Sequence, residues 1–223
     1  MPSSHKRAHG YARWWPLRYI AGLLTALRNR NTAMPLPAPQ PRQELHLRRI
    51  EVRGYRRHDG LLDIEARIID TKSDPFAVGS GDRILPPGDH LHDMVVRLTL
   101  DQDYVIREAV AATVASPHLA CPAAAAAVAQ LKGLVVGAGW NRAVREKLGG
   151  VKGCTHIAEL LAQMATVAFQ TNAPQRIASE GPLDASGRPL KIDSCYAYAS
   201  SRELVRVRWP AHYDGPQDGA APG

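Results

Sequence analysis

Nine histidines and three cysteines are side chains of this 223-residue chain that can move a proton or hold a metal near neutral pH, and two short segments place three of them where chemistry is expected. In His92-Asp93-Met94 the histidine shares strand phase with Met94 and Val96, so its imidazole is expected on the packed side of a sheet. An imidazole placed there needs a hydrogen-bond partner or a chemical task, as an acid/base or a ligand at the mouth of a cavity. In Gly153-Cys154-Thr155-His156 the cysteine and histidine open a helix, where free N–H groups favour a thiolate and attract anions. His156 lies one turn before Leu160, beside the buried stripe, and is expected to look into the same interior as His92. The structural alternatives are a core-edge histidine bonded to a carbonyl at 92, a small helix-start residue at Cys154 and a helix-start donor at His156.

Cys121, Cys154, His156 and Cys195 are one set of types that zinc accepts, but their scattered spacing, with Cys-x-His its only close pair, is not a usual ligand pattern. GxGxxG opening a helix, GxxxxGK[ST], GxSxG, HExxH and CxxC are all missing, which removes those enzyme classes in their familiar form. Arg42, Arg48, Arg49, Arg53, Arg56 and Arg57 crowd one extended segment around Tyr55. They suit a substrate carboxylate or phosphate, a nucleic-acid backbone, or cross-strand pairing with Asp63 and Glu65; pairing is the expectation for most, and nucleic acid is not expected. Asp70-Thr71-Lys72 reads as a strand end with an ion pair.

These residues need elements to hold them. Residues 44–56 are extended, and a switch of apolar phase from Leu45 and Leu47 to Ile50 and Val52 suggests a bulge near Arg48-Arg49. After the turn signal His58-Asp59-Gly60, Leu62, Ile64, Ala66 and Ile68 alternate with Asp63, Glu65 and Arg67 as a half-buried strand. Ser73 to Asp89 is a long Gly/Pro-rich loop suited to covering a site. Strands follow over about His90–Leu100 and Tyr104–Ala115. Helices are expected from Cys121-Pro122 through the alanine run, over Asn141–Leu148, and from Cys154 to about Gln170 with Ile157, Leu160, Leu161, Met164 and Val167 buried. Cys195–Tyr198 and Leu204–Trp209 could form a late hairpin. The fold class is α+β: an antiparallel meander of about four strands, then three helices packed on one face.

The net charge of +7 is uneven. Residues 1–33 hold Lys6, Arg7, Arg13, Arg18, Arg28 and Arg30 with no acid, leaving 22 basic and 21 acidic residues for the rest. A secretory signal fits poorly, because Arg28 and Arg30 fall where cleavage needs small uncharged residues. An organelle presequence, a basic helix on a membrane surface, and an extension outside the domain remain. Met34, followed by a Pro-rich spacer, reads as a second start, so residues 1–41 are expected to be a disordered extension, 42–210 one domain and 211–223 a disordered tail. No apolar run is long enough to span a bilayer, and three cysteines cannot all pair, so reduced thiols and a cytoplasmic location are expected.

Arg49-Ile50-Glu51-Val52, Gly54-Tyr55-Arg56-Arg57, Asp59-Gly60, Asp70-Thr71-Lys72, His92-Asp93-Met94, Cys121, Gly139-Trp140 and Gly153-Cys154-Thr155-His156, in this order and spacing, resemble a bacterial family catalogued only as domain of unknown function 2889. The resemblance spans roughly residues 35–210. It implies an enzyme of aromatic, lignin-derived phenylpropanoid catabolism, a carbon–carbon lyase releasing a small aldehyde, but supplies no catalytic residues. On physical grounds His92 and His156 are the acid/base pair, Tyr55 and Trp140 aromatic walls, Arg57 the holder of a phenolate or carboxylate, and Cys154 a further substrate contact. Retro-aldol chemistry of this kind needs no cofactor, and the partner is then a small aromatic molecule. A metal enzyme using Cys121, Cys154, His156 and Cys195, a non-enzymatic binding or accessory protein, and a homo-oligomer stay open.

Overall fold

The structure is a computed structural model that describes residues 36–79, 81, 83–173 and 183–216. Its contacts divide the chain into two units, Met1–Gln43 and Glu44–Gly223. In the first, residues 36–43 are exposed and carry neither helix nor strand; the expectations placed on residues 1–35, Met34 included, lie outside the described residues. In the second, four strands form one antiparallel sheet: β1 (His46–Arg56), β2 (Leu62–Lys72), β5 (His90–Leu100) and β6 (Ile106–Ala115), in the order β1-β2-β5-β6. Two short strands, β3 (Phe76–Val78) and β4 (Arg83–Leu85), pair in a small hairpin inside the segment read from sequence as a plain loop. Val78 is buried and the Arg83 guanidinium donates to the Ser116 carbonyl, so that hairpin is tied to the end of β6.

Strand periodicity sorts the two faces of the sheet. Leu62, Ile64, Ala66 and Ile68 of β2 and Met94, Val96, Leu98 and Leu100 of β5 point to one side and are almost fully buried. Asp63, Glu65 and Arg67 point to the other, as a half-buried antiparallel strand requires. β1 pairs with β2 in unbroken register from His46↔Lys72 to Arg56↔Leu62, so the expected bulge at Arg48-Arg49 is not formed. Leu47 and Ile50 are three positions apart and so fall on opposite faces of an unbroken strand. The register shifts fall instead at Asp70/Thr71, Asp93/Met94 and Thr99/Leu100.

The helical layer covers the apolar face. The alanine-rich segment Cys121–Leu131 is a run of 3₁₀ turns rather than an α-helix. Its buried residues Ala125, Val128 and Leu131 recur every third position, the spacing that three residues per turn lines up. Helix α1 (Trp140–Leu148) buries Trp140, Val144 and Leu148, one per turn, and α2 (Thr155–Thr171) buries Ile157, Leu160, Leu161, Met164 and Ala168. At Gly54 any Cβ would lie 1.7 Å from Thr171 Oγ1, so glycine is what lets β1 approach the end of α2.

The late hairpin is replaced by a 3₁₀ turn at Tyr196–Tyr198 and helix α3 (Glu203–Arg208). The alternation Val205-Arg206-Val207 imitates a strand, yet only Val205 is buried; Glu203 and Arg206 pair three residues apart, and acid precedes base along the helix dipole. A further 3₁₀ turn spans Pro210–His212, and residues 217–223 lie outside the described residues. No helix among the described residues is long and apolar enough to cross a membrane.

Candidate functional site

Register builds the site. Arg48 on β1 lies opposite Asp70 on β2, and Asp70 lies opposite His92 on β5, so the three side chains form one row across the helix-facing side of the sheet. Asp70 continues the phase of Leu62, Ile64, Ala66 and Ile68, and its side chain is only 1% exposed. A carboxylate this deep must be ion-paired and hydrogen-bonded. Arg48 supplies a fork, Nε to Oδ1 at 2.7 Å and Nη2 to Oδ2 at 2.8 Å. Its third nitrogen, Nη1, reaches Glu159 on α2 at 2.7 Å. His92 Nδ1 lies 2.9 Å from Asp70 Oδ2, and because an ionised carboxylate only accepts, the imidazole donates from Nδ1 and leaves Nε2 for other work. His46, two residues before Arg48 on the same face, places Nε2 3.4 Å from Asp70 Oδ1.

Helix α2 brings the second histidine. The turn before it is closed by Gly153, where a Cβ would meet the Leu148 carbonyl at 2.7 Å, so glycine allows the chain to leave α1 tightly and start α2 over the end of β2. Cys154 is then the N-cap and His156 the second helical residue. The His156 and His92 rings lie 3.9 Å apart between centroids, tilted by 33°. His156 Nε2 faces Asp70 Oδ2 at 3.8 Å, and its Nδ1 lies 3.8 Å from Cys154 Sγ. The two histidine side chains are 16% and 20% exposed, enclosed but reachable.

The charges differ in kind. Burial opposes ionisation of Asp70, but the Arg48 fork and its charge, with His92, outweigh it and hold the carboxyl below its usual range. Burial and the neighbouring His92 and Arg48 push the His156 imidazole down, against a smaller opposite pull from Asp70 and Glu159. His156 is therefore biased toward the neutral, proton-accepting form beside a ring that is anchored to a carboxylate.

Of the residues chosen from sequence, His92, His156 and Cys154 come together. Tyr55 and Arg57 do not. Tyr55 is seven positions along β1 from Arg48, about 23 Å at strand rise, and points to the open face, where it lines a concavity of about 570 Å³ with Arg53, Arg67, Arg97 and Val110. Arg57 is spent on Asp59 in the β1–β2 turn at 2.7 Å. Trp140 is a core residue, 4% exposed, with its indole N–H donating to the Leu161 carbonyl at 2.8 Å. Sequence reasoning left Arg48, Asp70 and His46 out of the site. The available signal was phase: Asp70 is an acid in step with four buried apolar residues. A similar row on the open face, Arg67–Asp93–His90, buries Asp93 to 1% exposure with bonds of 2.6–2.9 Å.

The four residues of the cysteine-based metal set do not come together among the described residues. Among the described residues the metal-type donors that converge are Asp70, His92 and His156; Cys121 and Cys195 start separate 3₁₀ turns and take no part. The donor atoms of the converging three lie within 4.8 Å of one another, with His92 Nδ1 2.9 Å and His156 Nε2 3.8 Å from Asp70 Oδ2. Both Asp70 oxygens also carry Arg48, so an added cation would press against a guanidinium. We read Asp70 as the anchor of His92 rather than as a ligand. Zinc, manganese or a chelator is accordingly expected to leave the melting temperature unchanged within about 1 °C in a thermal shift assay; a rise of several degrees with one metal would reverse the assignment.

The fold and site define an α+β protein with a four-stranded antiparallel sheet and, between that sheet and the start of a helix, a pair of histidines of which His92 is anchored to a buried carboxylate. The chain belongs to the family described as protein of unknown function (DUF2889), which matches residues 46–170 and contains every residue of the cluster. No curated protein and no solved structure matches it.

Proposed function

We propose that the chain is a cofactor-independent carbon–carbon lyase acting on a small aromatic, phenylpropanoid-type molecule through histidine acid–base chemistry, and that it works in the cytoplasm. The observation that carries the reading is the pairing of two imidazoles over one buried carboxylate, His92 bonded to Asp70 and His156 stacked 3.9 Å away. Groups with unlike environments divide acid and base roles between them. His156, biased neutral, takes the proton from a substrate hydroxyl; the O–H electron pair becomes the new C=O bond as the adjacent C–C bond breaks. The C–C bond pair stays on the departing carbon, which takes a proton from Nε2 of His92 in its imidazolium form, held in place by Asp70; the proton gained by His156 then passes to His92 and restores the pair. Three free cysteines fit a reducing compartment. The aromatic substrate class rests on family resemblance.

The experiment is turnover of hydroxylated phenylpropanoid compounds with the released aldehyde as readout. His92→Asn and His156→Gln are each expected to lower kcat by about 10²–10⁴ while remaining folded. Full turnover by both folded variants would remove the histidines from the chemistry.

A further inference from the structure

A second chemical capacity sits in the same cluster. Cys154, His156 and Asp70 come from the N-cap of α2, its second residue and the end of β2, and they line up in the order nucleophile, base and carboxylate. Cys154 Sγ lies 3.8 Å from His156 Nδ1, and the opposite nitrogen of that ring, Nε2, faces Asp70 Oδ2 at 3.8 Å. This is the arrangement in which a thiol becomes a usable nucleophile: a base within reach of the S–H, and an anion behind the base to steady the proton it receives. The thiol is half-buried rather than sealed in the core, and it is a free cysteine. The ring it faces is held toward its neutral form by burial and by His92 and Arg48, which leaves the Nδ1 lone pair open to the thiol proton. Cys195, exposed, and Cys121 have no histidine bonded to them among the described residues, so the three cysteines provide their own internal comparison.

We infer that Cys154 is a nucleophilic thiol whose target is an aldehyde, held reversibly as a hemithioacetal with His156 moving the proton. Sulfur donates its electron pair to the carbonyl carbon and the S–C bond forms. The S–H proton passes to His156 Nδ1, the C=O π pair moves to oxygen, and that oxygen takes the proton back from His156. Nothing is oxidised or reduced, and the reverse path frees the aldehyde. The choice of an aldehyde rests on the lyase reading, because such a reaction generates one beside the thiol; the reactivity of the thiol rests on geometry alone.

The test needs no turnover, so it stands whether or not the lyase assay succeeds. The full chain at pH 7.5 is treated with limiting iodoacetamide, and alkylation at each cysteine is followed by peptide mass spectrometry. Cys154 should be alkylated in the wild type, and His156→Gln should slow it about tenfold or more while Cys195 changes less than twofold. Millimolar acetaldehyde added to the wild type should slow alkylation of Cys154 but not of Cys195, a comparison that involves no variant. An unreactive Cys154, or one indifferent to His156→Gln, overturns the nucleophile. Normal reactivity without aldehyde protection overturns the ligand class.

Discussion

Asp70→Ala is expected to cost about 3 kcal/mol of unfolding free energy and, for a domain of this size, to lower the melting temperature by about 6–12 °C. The carboxylate is the common acceptor of the cluster: Arg48 through two bonds, His92 through one, and His46 within 3.4 Å. Removing one member of a buried ion pair strands the other, which is why such losses reach about 3–5 kcal/mol. The lower end applies here. Arg48 keeps Glu159 and leaves a third of its side chain in water, so part of the lost interaction is recovered by solvent. Asp70→Asn keeps the shape and one acceptor oxygen and should cost less. Differential scanning calorimetry of the three proteins at pH 7 makes the comparison. A melting temperature for Asp70→Ala within about 2 °C of wild type would mean that the row of side chains contributes little to folding.

The same cluster gives stability a direction with pH. Asp70 has a folded pKa below its unfolded value, so its contribution is full above about pH 4 and is lost as pH falls through the folded value. His156 is also depressed; its folded form resists protonation, and stability associated with it is present above about pH 6.5 and declines as pH falls below that. Both effects have the same sign. The wild type should lose stability in two acid windows, the upper one disappearing in His156→Gln. The wider consequence is that the charged carboxylate and the neutral imidazole, the states the proposed acid–base chemistry calls for, are both favoured by the fold near neutrality.

How much of this was legible before the structure depends on which physical signal each element carried. β2 announces itself because Leu62 to Ile68 alternate strictly with charged residues, and β5 takes the boundaries His90 to Leu100 that phase alone suggests. The stripe of α2 was equally readable through Ile157, Leu160, Leu161 and Met164. The β3–β4 hairpin was hidden because three-residue strands are too short to show a period. The segment after Cys121 was misread in type because alanine is apolar on every face and does not distinguish a three-residue repeat from a 3.6-residue one. The segment Glu203–Arg208 was misread because its alternating valines carry a strand period that tertiary contacts do not use.

The site divides in the same way. His92 and His156 could be brought to one interior by counting phase along β5 and α2, since each follows a buried stripe. Arg48 could not, because its role appears only when β1 is set in register against β2 and Arg48 is found opposite Asp70. Register also explains why Tyr55 falls away from the histidines. Even-numbered residues of β1 face the helices, as Gly54 does toward Thr171, and Tyr55 is odd. Composition identifies an arginine-rich strand, but pairing assigns its members: Arg48 to Asp70, Arg53 to Glu51, Arg56 to Asn172 and Arg57 to Asp59.

Trp140 separates an aromatic wall from an aromatic core most sharply. The residue looks like a binding side chain in sequence, next to a glycine and at a helix start, but its ring is 4% exposed and its N–H is spent on the Leu161 carbonyl. Trp140→Ala should therefore cost about 3–5 kcal/mol, the price of a large cavity between α1 and α2, and should lower the melting temperature by about 6–20 °C. Trp140→Phe keeps most of the volume and loses one hydrogen bond. Since a carbonyl inside α2 still has its helical partner, the expected cost is only about 1–2 kcal/mol. The distinguishing quantity is activity per folded molecule. A core residue predicts that Trp140→Phe retains wild-type KM and kcat below its melting transition. A substrate wall predicts a KM raised severalfold with little change in stability. Measured together, calorimetry and steady-state kinetics on Trp140→Phe decide between the two, and a raised KM at unchanged melting temperature would return Trp140 to the site from which its burial excludes it.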